Sequence, residues 1–149
     1  MKTFRLQSEQ RLDHPLGEVF GFFSRPENLE RLTPPWLQFR ILTPPPIEMG
    51  GGTLIDYRLR LKGFPIRWRS EITVWDPPHL FVDEQRVGPY RSWVHTHSFR
   101  ADGESTVVMD SVEYAVPGGI LVQRLFVRPD IERIFGYRAE VLPGLLSSS

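Results

Sequence analysis

Apolar and polar side chains alternate from residue 55 to residue 114, and this pattern restricts the fold more than any other feature of the sequence. Ile55, Tyr57 and Leu59, for example, are separated by Asp56 and Arg58. A period of two residues is typical of strands that bury one face. Turn signals interrupt the alternation at Lys62-Gly63, Asp76-Pro77-Pro78, Gly88-Pro89 and Asp102-Gly103. We therefore predict a meander of antiparallel strands.

The spacing of the apolar residues changes after Pro117-Gly118-Gly119. Leucine, isoleucine and phenylalanine then recur at helical spacing as far as Pro143, which predicts a long C-terminal helix that Pro129 kinks or divides. Residues 145–149 are expected to fray. One apolar helix is thus available to cover the buried face of the meander, which is the arrangement of an α+β domain.

The N-terminal part of the chain adds a strand and two short helices before the meander. Residues 4–12 alternate as a first strand. Asp13-His14-Pro15 begins a helix that ends at Pro26, and a second short helix follows from Glu27 to Leu32. No internal repeat is found, so we expect one domain over residues 1–146 and a disordered tail at 147–149.

Composition excludes several classes of function. The 18 Lys and Arg residues balance the 18 Asp and Glu residues, so net charge gives the chain no attraction to nucleic acid or to an anionic membrane. The chain has no cysteine, which excludes disulfides and cysteine nucleophiles and fits a reducing cytoplasm. No apolar run approaches the roughly 20 residues that span a bilayer, and residues 1–15 lack the apolar segment of a signal peptide. We expect a cytoplasmic protein, a monomer or a homodimer, without a nucleic-acid partner or a membrane span.

The turns also predict which residues face the helix. If Asp102-Gly103 is a two-residue hairpin loop, His95 lies opposite Asp110. If Gly88-Pro89 is a second such loop, Glu84 lies on the same face as these two residues. This face is the more apolar one, so it should be buried. Buried polar groups need partners, which they find in one another, in water or in a ligand.

The residues that we predict to contact a ligand are the polar and aromatic side chains of this inward face. They are Tyr57, Trp68, Glu84, Trp93, His95, His97, Asp110 and Tyr114.

Several segments of the sequence together resemble a known family. They are Pro26–Leu29, Leu32–Trp36, Asp83–Tyr90, Trp93–Phe99, Asp110–Pro117 and Ile134–Arg138. The chain resembles, over nearly its whole length, the START-like or SRPBCC superfamily of polyketide cyclases, in particular its small bacterial ligand-binding or cyclase/dehydrase-like branch. The resemblance implies the helix-grip fold, in which a curved sheet of about seven strands clasps the C-terminal helix around a deep cavity. It does not identify a reaction, because members include lipid carriers, hormone receptors, cyclases and chaperone cofactors.

His95 and His97 allow three interpretations. They are two residues apart on a strand, so both side chains project from one face, roughly 6.6 Å apart along the chain. They can be internal histidines bonded to Asp110, Glu84 or water, or they can orient a ligand. They can also begin a metal site with a carboxylate ligand, but no third histidine is near in sequence, and we predict no metal and no cofactor.

Three functions remain open. The preferred one is the binding of a small, mostly apolar or amphipathic molecule in an internal cavity. The second is a cyclase or dehydratase in which a histidine or Glu84 moves a proton next to a carbonyl. The third is a protein-interaction or chaperone-assisting domain, which requires an exposed apolar patch, for example near Trp36 and Phe64.

Overall fold

Seven strands form a single antiparallel sheet in the computed structural model, which describes residues 2–148. The strands are β1 Phe4–Leu12, β2 Arg40–Ile41, β3 Leu54–Leu61, β4 Phe64–Asp76, β5 Leu80–Val87, β6 Ser92–Asp102 and β7 Ser105–Ala115. Their order across the sheet is β1-β7-β6-β5-β4-β3-β2. Each connection from β2 onward joins neighbouring strands. The connection from β1 to β2 instead runs from one edge of the sheet to the other, and β7 lies beside β1. The predicted meander is therefore confirmed.

Two short helices follow β1, and a long helical segment ends the chain. The helices are α1 Leu16–Phe23, α2 Glu27–Leu32, α3 Gly119–Val122 and α4 Arg128–Ser148; a 3₁₀ turn covers Pro35–Leu37, and Gln123–Val127 between α3 and α4 is π-helical. The curved seven-stranded sheet with its long C-terminal helix confirms the predicted helix-grip α+β fold. Within the described residues, no helix is long and apolar enough to cross a membrane.

The hairpin between β6 and β7 differs from the prediction by the position of its loop. Asp102 pairs with Ser105, so the loop residues are Gly103 and Glu104, and Gly103 has a φ of 62°. Glycine with positive φ at the first loop position is typical of a type II′ turn, whereas the prediction placed Asp102 at that position. His95 consequently pairs with Val112, and His97 pairs with Asp110. The partners move by two residues, which leaves every side chain on the predicted face.

The face of β5 was predicted wrongly because the loop to β6 does not close at Gly88-Pro89, so Glu84 pairs with Val94 instead of Trp93. A bulge in β4 is consistent with the observed face. Register shifts between Ile72 and Val74, so Thr73 is an extra residue and Trp75 instead of Val74 turns inward. A single added residue exchanges the two faces of the paired strand. Asp83 therefore pairs with His95, and Glu84 lies on the opposite, outer face.

The loop before β6 is also longer than the predicted two residues. β5 ends at Val87 and β6 begins at Ser92. The Gln85 side chain closes this loop, because its Nε2 donates to the Tyr90 carbonyl at 2.8 Å and its Oε1 accepts from the Tyr90 amide at 3.1 Å.

The C-terminal helix is divided next to Pro129, as predicted, but it extends beyond its predicted end. Pro129 has no backbone N–H, so it cannot donate the helical hydrogen bond to the carbonyl four residues earlier. That carbonyl belongs to the π-helical segment before Pro129. The helix then continues to Ser148, and Leu146 is only 1% exposed, so residues 145 and 146 pack against the domain instead of fraying. Ser149 lies outside the described residues, and the predicted domain limits remain a prediction.

Three clusters of buried apolar residues hold the helices against the sheet. The first joins α1 and the end of α4 to β6 and β7, with Phe20, Phe99 and Leu142 among its members. The second lies where α4 begins and contains Tyr114 and Ile131, and the third lies at the β2–β4 end of the sheet. Each fully buried side chain of this size contributes roughly 1.5–3 kcal/mol. The space left between the clusters is the cavity described next.

Candidate functional site

A cavity of about 200 Å³ lies between the sheet and α4. Its sides come from β3, β4, β5 and β6 on the sheet, from the loop at Tyr90, and from the α1–α2 region. Ile134 and Phe135 of α4 face it from the helix. The lining is mostly apolar, and the ionisable groups gather at Asp83, His95, His97 and Arg138.

Aromatic rings form one wall of the cavity. The Trp68 ring centroid lies 5.4 Å from that of Trp93 at 90°, and the Tyr90 centroid lies 4.8 Å from that of Trp93. Tyr57 stacks on Trp68 with centroids 6.1 Å apart. Edge-to-face and stacked pairs of this kind stabilise the wall beyond the burial of its area. The wall is therefore a set of mutually supporting rings.

Ser70 satisfies the polar atoms of this wall. Its Oγ lies 2.6 Å from the Tyr57 hydroxyl and accepts a hydrogen bond from Trp68 Nε1 at 3.0 Å. Burial, with a further contribution from the charge of Asp83, raises the pKa of Tyr57, so its phenol stays protonated. The wall thus presents apolar ring faces to the cavity, whereas its hydrogen-bonding atoms bond to one another.

The polar end of the cavity is a cluster of five ionisable side chains, which we call the polar cluster: Asp83, His95, His97, Asp110 and Arg138. His95 Nε2 lies 2.7 Å from Asp110 Oδ1, and His97 Nε2 lies 2.6 Å from Asp83 Oδ2. Arg138 reaches Asp110 Oδ1 from α4 at 3.4 Å. The two histidines are each 5% exposed, and Asp110 and Arg138 are each 9% exposed.

The two imidazole rings are fixed by stacking as well as by hydrogen bonds. Their centroids are 3.7 Å apart, and Phe81 stacks on the other side of His97 at 4.0 Å. Phe135 meets His95 edge-on at 5.5 Å. Rings held from both sides keep a single orientation, so the ring nitrogens have defined partners.

Burial determines the protonation of this cluster. Burial, followed by the neighbouring His95, lowers the pKa of His97 to about 4 against the opposing effect of Asp83, so His97 is neutral near pH 7. The pKa of Asp110 lies well below its usual range, since the attraction of Arg138 and of the His95 hydrogen bond outweighs the opposing effect of burial. The pKa of Asp83 is also lowered, against burial, by its hydrogen bond to His97. Both carboxyl groups are therefore ionised.

One buried atom of the cluster has no partner. His97 Nδ1 is the buried side-chain nitrogen or oxygen found without a hydrogen bond in the described part of the chain. It lies 3.5 Å from Asp110 Oδ1. Because Asp83 is ionised, Nε2 carries the ring proton and donates it to Asp83, so the Nδ1 lone pair faces a second carboxylate.

Five of the eight residues predicted from the sequence line the cavity: Tyr57, Trp68, Trp93, His95 and His97. Asp110 does not line the cavity but bonds to the His95 ring, as described above. Tyr114 is buried elsewhere and donates its hydroxyl to Gln123 Oε1 at 2.6 Å. Glu84 lies on the outer face, 3.7 Å from Arg86, so its predicted inward position is wrong. The ligand-binding role of these residues remains a prediction.

Sequence reasoning missed several residues that line the cavity, among them Asp83, Ser70 and Arg138. Asp83 was missed through the same error that turned Glu84 inward, and Ser70 was not among the residues predicted to contact a ligand. Arg138 was noted as part of a C-terminal motif, but the helical spacing alone does not show that it reaches the carboxylate of a distant strand. Asp83, His95 and His97 also offer one ligating atom each within 4.8 Å of one another, which is the set that could hold a metal ion.

Trp36 and Phe64, the residues of the predicted interaction patch, are 45% and 71% exposed. The Trp36 ring lies against Tyr137, with centroids 5.8 Å apart, and under the Arg133 guanidinium at 5.0 Å. Trp36 is therefore supported by α4 on one side, and the protein-interaction hypothesis remains a prediction.

Comparison with known proteins places this fold and cavity in a family. Residues 12–139 match the family model described as polyketide cyclase / dehydrase and lipid transport. No functionally curated protein is significantly similar in sequence.

Solved structures with the same fold are distant in sequence. The ZhuI aromatase/cyclase from Streptomyces sp. R1128 is 14% identical, with a TM-score of 0.77 over 98% of this chain and 94% of its own. Ara h 8.0201 is 15% identical, with a TM-score of 0.73 over 99% of this chain and 100% of its own. Norcoclaurine synthase from Thalictrum flavum is 18% identical, with a TM-score of 0.67 over 95% and 87% of the two chains. At these identities the likeness extends to the fold alone.

Proposed function

The chain belongs to the polyketide cyclase / dehydrase and lipid transport family, and from this premise we propose that it binds a small, mostly apolar molecule in the cavity between its sheet and α4. The observation that carries the proposal is the cavity itself, which combines an aromatic wall with one polar end. An apolar site with a few convergent polar groups is typical of small-molecule binding.

The volume limits the size of the occupant. A dry apolar cavity of about 150 Å³ accepts benzene, whereas sites for drug-sized ligands measure about 300–1,000 Å³. The cavity of about 200 Å³ therefore suits a molecule of one ring, or a short aliphatic chain of similar volume. A multi-ring polyketide would require the sheet and α4 to separate.

The polar end determines how such a molecule is oriented. Asp83 is ionised and lines the cavity, and His95 is tied to Asp110 through Nε2, which leaves Nδ1 as its remaining nitrogen. The Asp83 carboxylate and His95 Nδ1 are hydrogen-bond acceptors, so the favoured ligand carries a hydroxyl or another donor at one end. Its apolar part then lies against Trp68, Trp93 and Tyr90.

Native mass spectrometry of the freshly purified protein tests this proposal, followed by titration with one-ring phenols and alcohols monitored by tryptophan fluorescence. We expect a 1:1 complex. Leu59→Trp fills the cavity and should abolish binding, whereas Leu54→Trp on the same strand is a matched control because Leu54 is 46% exposed. Circular dichroism verifies that both variants fold. An empty wild-type protein that binds no probe, or equal binding by the two variants, would contradict the proposal.

A second candidate is a cyclase or dehydratase, favoured by the Asp110–His95 pair. The carboxylate at 2.7 Å holds the ring through Nε2, so Nδ1 can accept a proton from a bound molecule. Incubation of the recovered ligand with wild-type protein and with His95→Gln distinguishes this function from binding alone. A mass change that depends on His95 supports an enzyme, and a ligand that both proteins leave unchanged contradicts it.

A further inference from the structure

We infer that Asp83, His95 and His97 form a site for one divalent transition-metal ion of the zinc class at the polar end of the cavity. This site uses Asp83 and His95, which also orient the proposed ligand, so the inference rests on the proposed cavity, and metal binding is measured separately from probe binding.

The strands bring the three side chains together without help from a loop. Asp83 pairs directly with His95 across β5 and β6, and His97 follows two residues later on the same face of β6. One ligating atom from each residue lies within 4.8 Å of the other two. Tetrahedral ligands at about 2.1 Å from zinc are about 3.4 Å apart, so the side chains need only small rotations to close on an ion.

Asp110 supplies the outer support that metal-binding histidines require. It lies 2.7 Å from His95 Nε2, so it fixes the ring and leaves Nδ1 for an ion. A carboxylate that accepts the second ring N–H orients the ligand and increases its basicity. Arg138 and the buried position of Asp110 hold that carboxylate in place.

His97 provides a second observation that favours a cation at this site. Its Nδ1 is buried, has no hydrogen bond, and lies 3.5 Å from Asp110 Oδ1. An ion bound to Nε2 would shift the ring proton to Nδ1, where it points toward Asp110. No proton leaves the ring, and the unpartnered atom becomes a donor to a carboxylate.

The donor set favours the same class of ion. Two imidazoles and one carboxylate suit zinc or a similar metal, and three protein ligands leave one coordination position open. All three residues line the cavity.

Titration of chelator-treated protein with Co²⁺ and Zn²⁺ tests the site by absorption spectroscopy and calorimetry. We expect one ion per chain, and an affinity lowered by about 100-fold or more in Asp83→Asn and in His97→Gln. Glu84→Gln and His79→Gln are controls that should bind as the wild type does, because Glu84 lies on the outer face and His79 is exposed. Failure of the wild type to bind stoichiometrically, or equal binding by all four variants, would overturn the inference.

Nitrogen NMR of the wild-type histidines gives a reading that needs no variant. Zn²⁺ should move the His97 ring proton from Nε2 to Nδ1, and an unchanged tautomer in the presence of excess Zn²⁺ would overturn the inference even if the variants fail to fold. Binding of the apolar probes to metal-free protein is measured separately, so loss of either function is distinguishable from loss of the other.

Discussion

Asp110 of β7 contacts His95 of β6 and Arg138 of α4, and it does so in an almost fully buried position. We expect Asp110→Asn to lower the free energy of unfolding by about 2–4 kcal/mol, because it leaves the Arg138 guanidinium buried without a charged partner. Urea denaturation measures the difference. Glu113→Gln on the same strand is the control, since Glu113 pairs with Arg5 on the exposed face and should contribute about 0–1 kcal/mol. Equal losses in the two variants would contradict the role given to Asp110.

The phenol of Tyr57 gives a prediction at high pH. Burial raises the pKa of Tyr57, and also that of Tyr90, above the ordinary value of 10.0. The unfolded chain therefore loses these protons first, and the contribution of both groups to stability, complete below about pH 10, declines as the pH rises further. Ultraviolet titration of folded wild-type protein and of Tyr57→Phe should show the same absorbance change around pH 10. A smaller change in the variant would show that Tyr57 ionises normally.

Among the elements, the last turns of α4 are the most direct correction of the sequence-based prediction. We expect Leu146→Ala to lower the free energy of unfolding by about 2–4 kcal/mol, because Leu146 packs in the first cluster with Phe20 and Leu142. Leu121→Ala, in α3, is the control and should change stability by less than about 0.5 kcal/mol, since Leu121 is 65% exposed. Thermal and urea unfolding measure both. A neutral Leu146→Ala would support the frayed end that the sequence predicted.

The sequence predicted strands better than it predicted their pairing. Alternation located β1 and the meander, because a period of two survives any error in the loops. The side chains of His95 and His97 were placed on the correct face although their partners were wrong by two residues, since an even shift preserves the face. β5 was reversed because Gly88-Pro89 gives the appearance of a two-residue loop, whereas the loop to β6 is longer and shifts the pairing by one residue. Nothing in the alternation of β4 marks Thr73 as a bulge either.

The candidate site shows the same limit at a larger scale. His95 and His97 were found because two histidines on an apolar strand face are unusual. Asp83 was missed because its inward position depends on the length of the loop between β5 and β6, and Arg138 because helical spacing does not determine which strand a helix residue faces. Side chains that share one face of a single strand could be predicted from the sequence. Contacts between different elements could not, because they depend on the strand register and on how the helix packs.

At the scale of the whole molecule, the two ends of the sheet differ in how well hydrogen bonds and apolar packing stabilise them. β7 is hydrogen-bonded to β1 and β6 along its length and packs under two apolar clusters, whereas β2 has two residues and pairs with β3 alone. The cavity lies against the β3–β4 end, under the third cluster. We therefore expect the proposed ligand to enter at this end, where local opening is least costly.

Amide hydrogen exchange tests that arrangement. We expect amides of β2 and β3 to exchange faster than those of β6 and β7, which should exchange only by global unfolding. A bound apolar probe should then slow exchange in β3 and β4 more than in β1, because the ligand stabilises the states in which the third cluster is closed. Leu59→Trp should show no such ligand effect, while Leu54→Trp should show it in full. Uniform protection across all seven strands would mean that the bound probe stabilises the domain as a whole. That result would contradict an entrance to the cavity at the β2–β4 end.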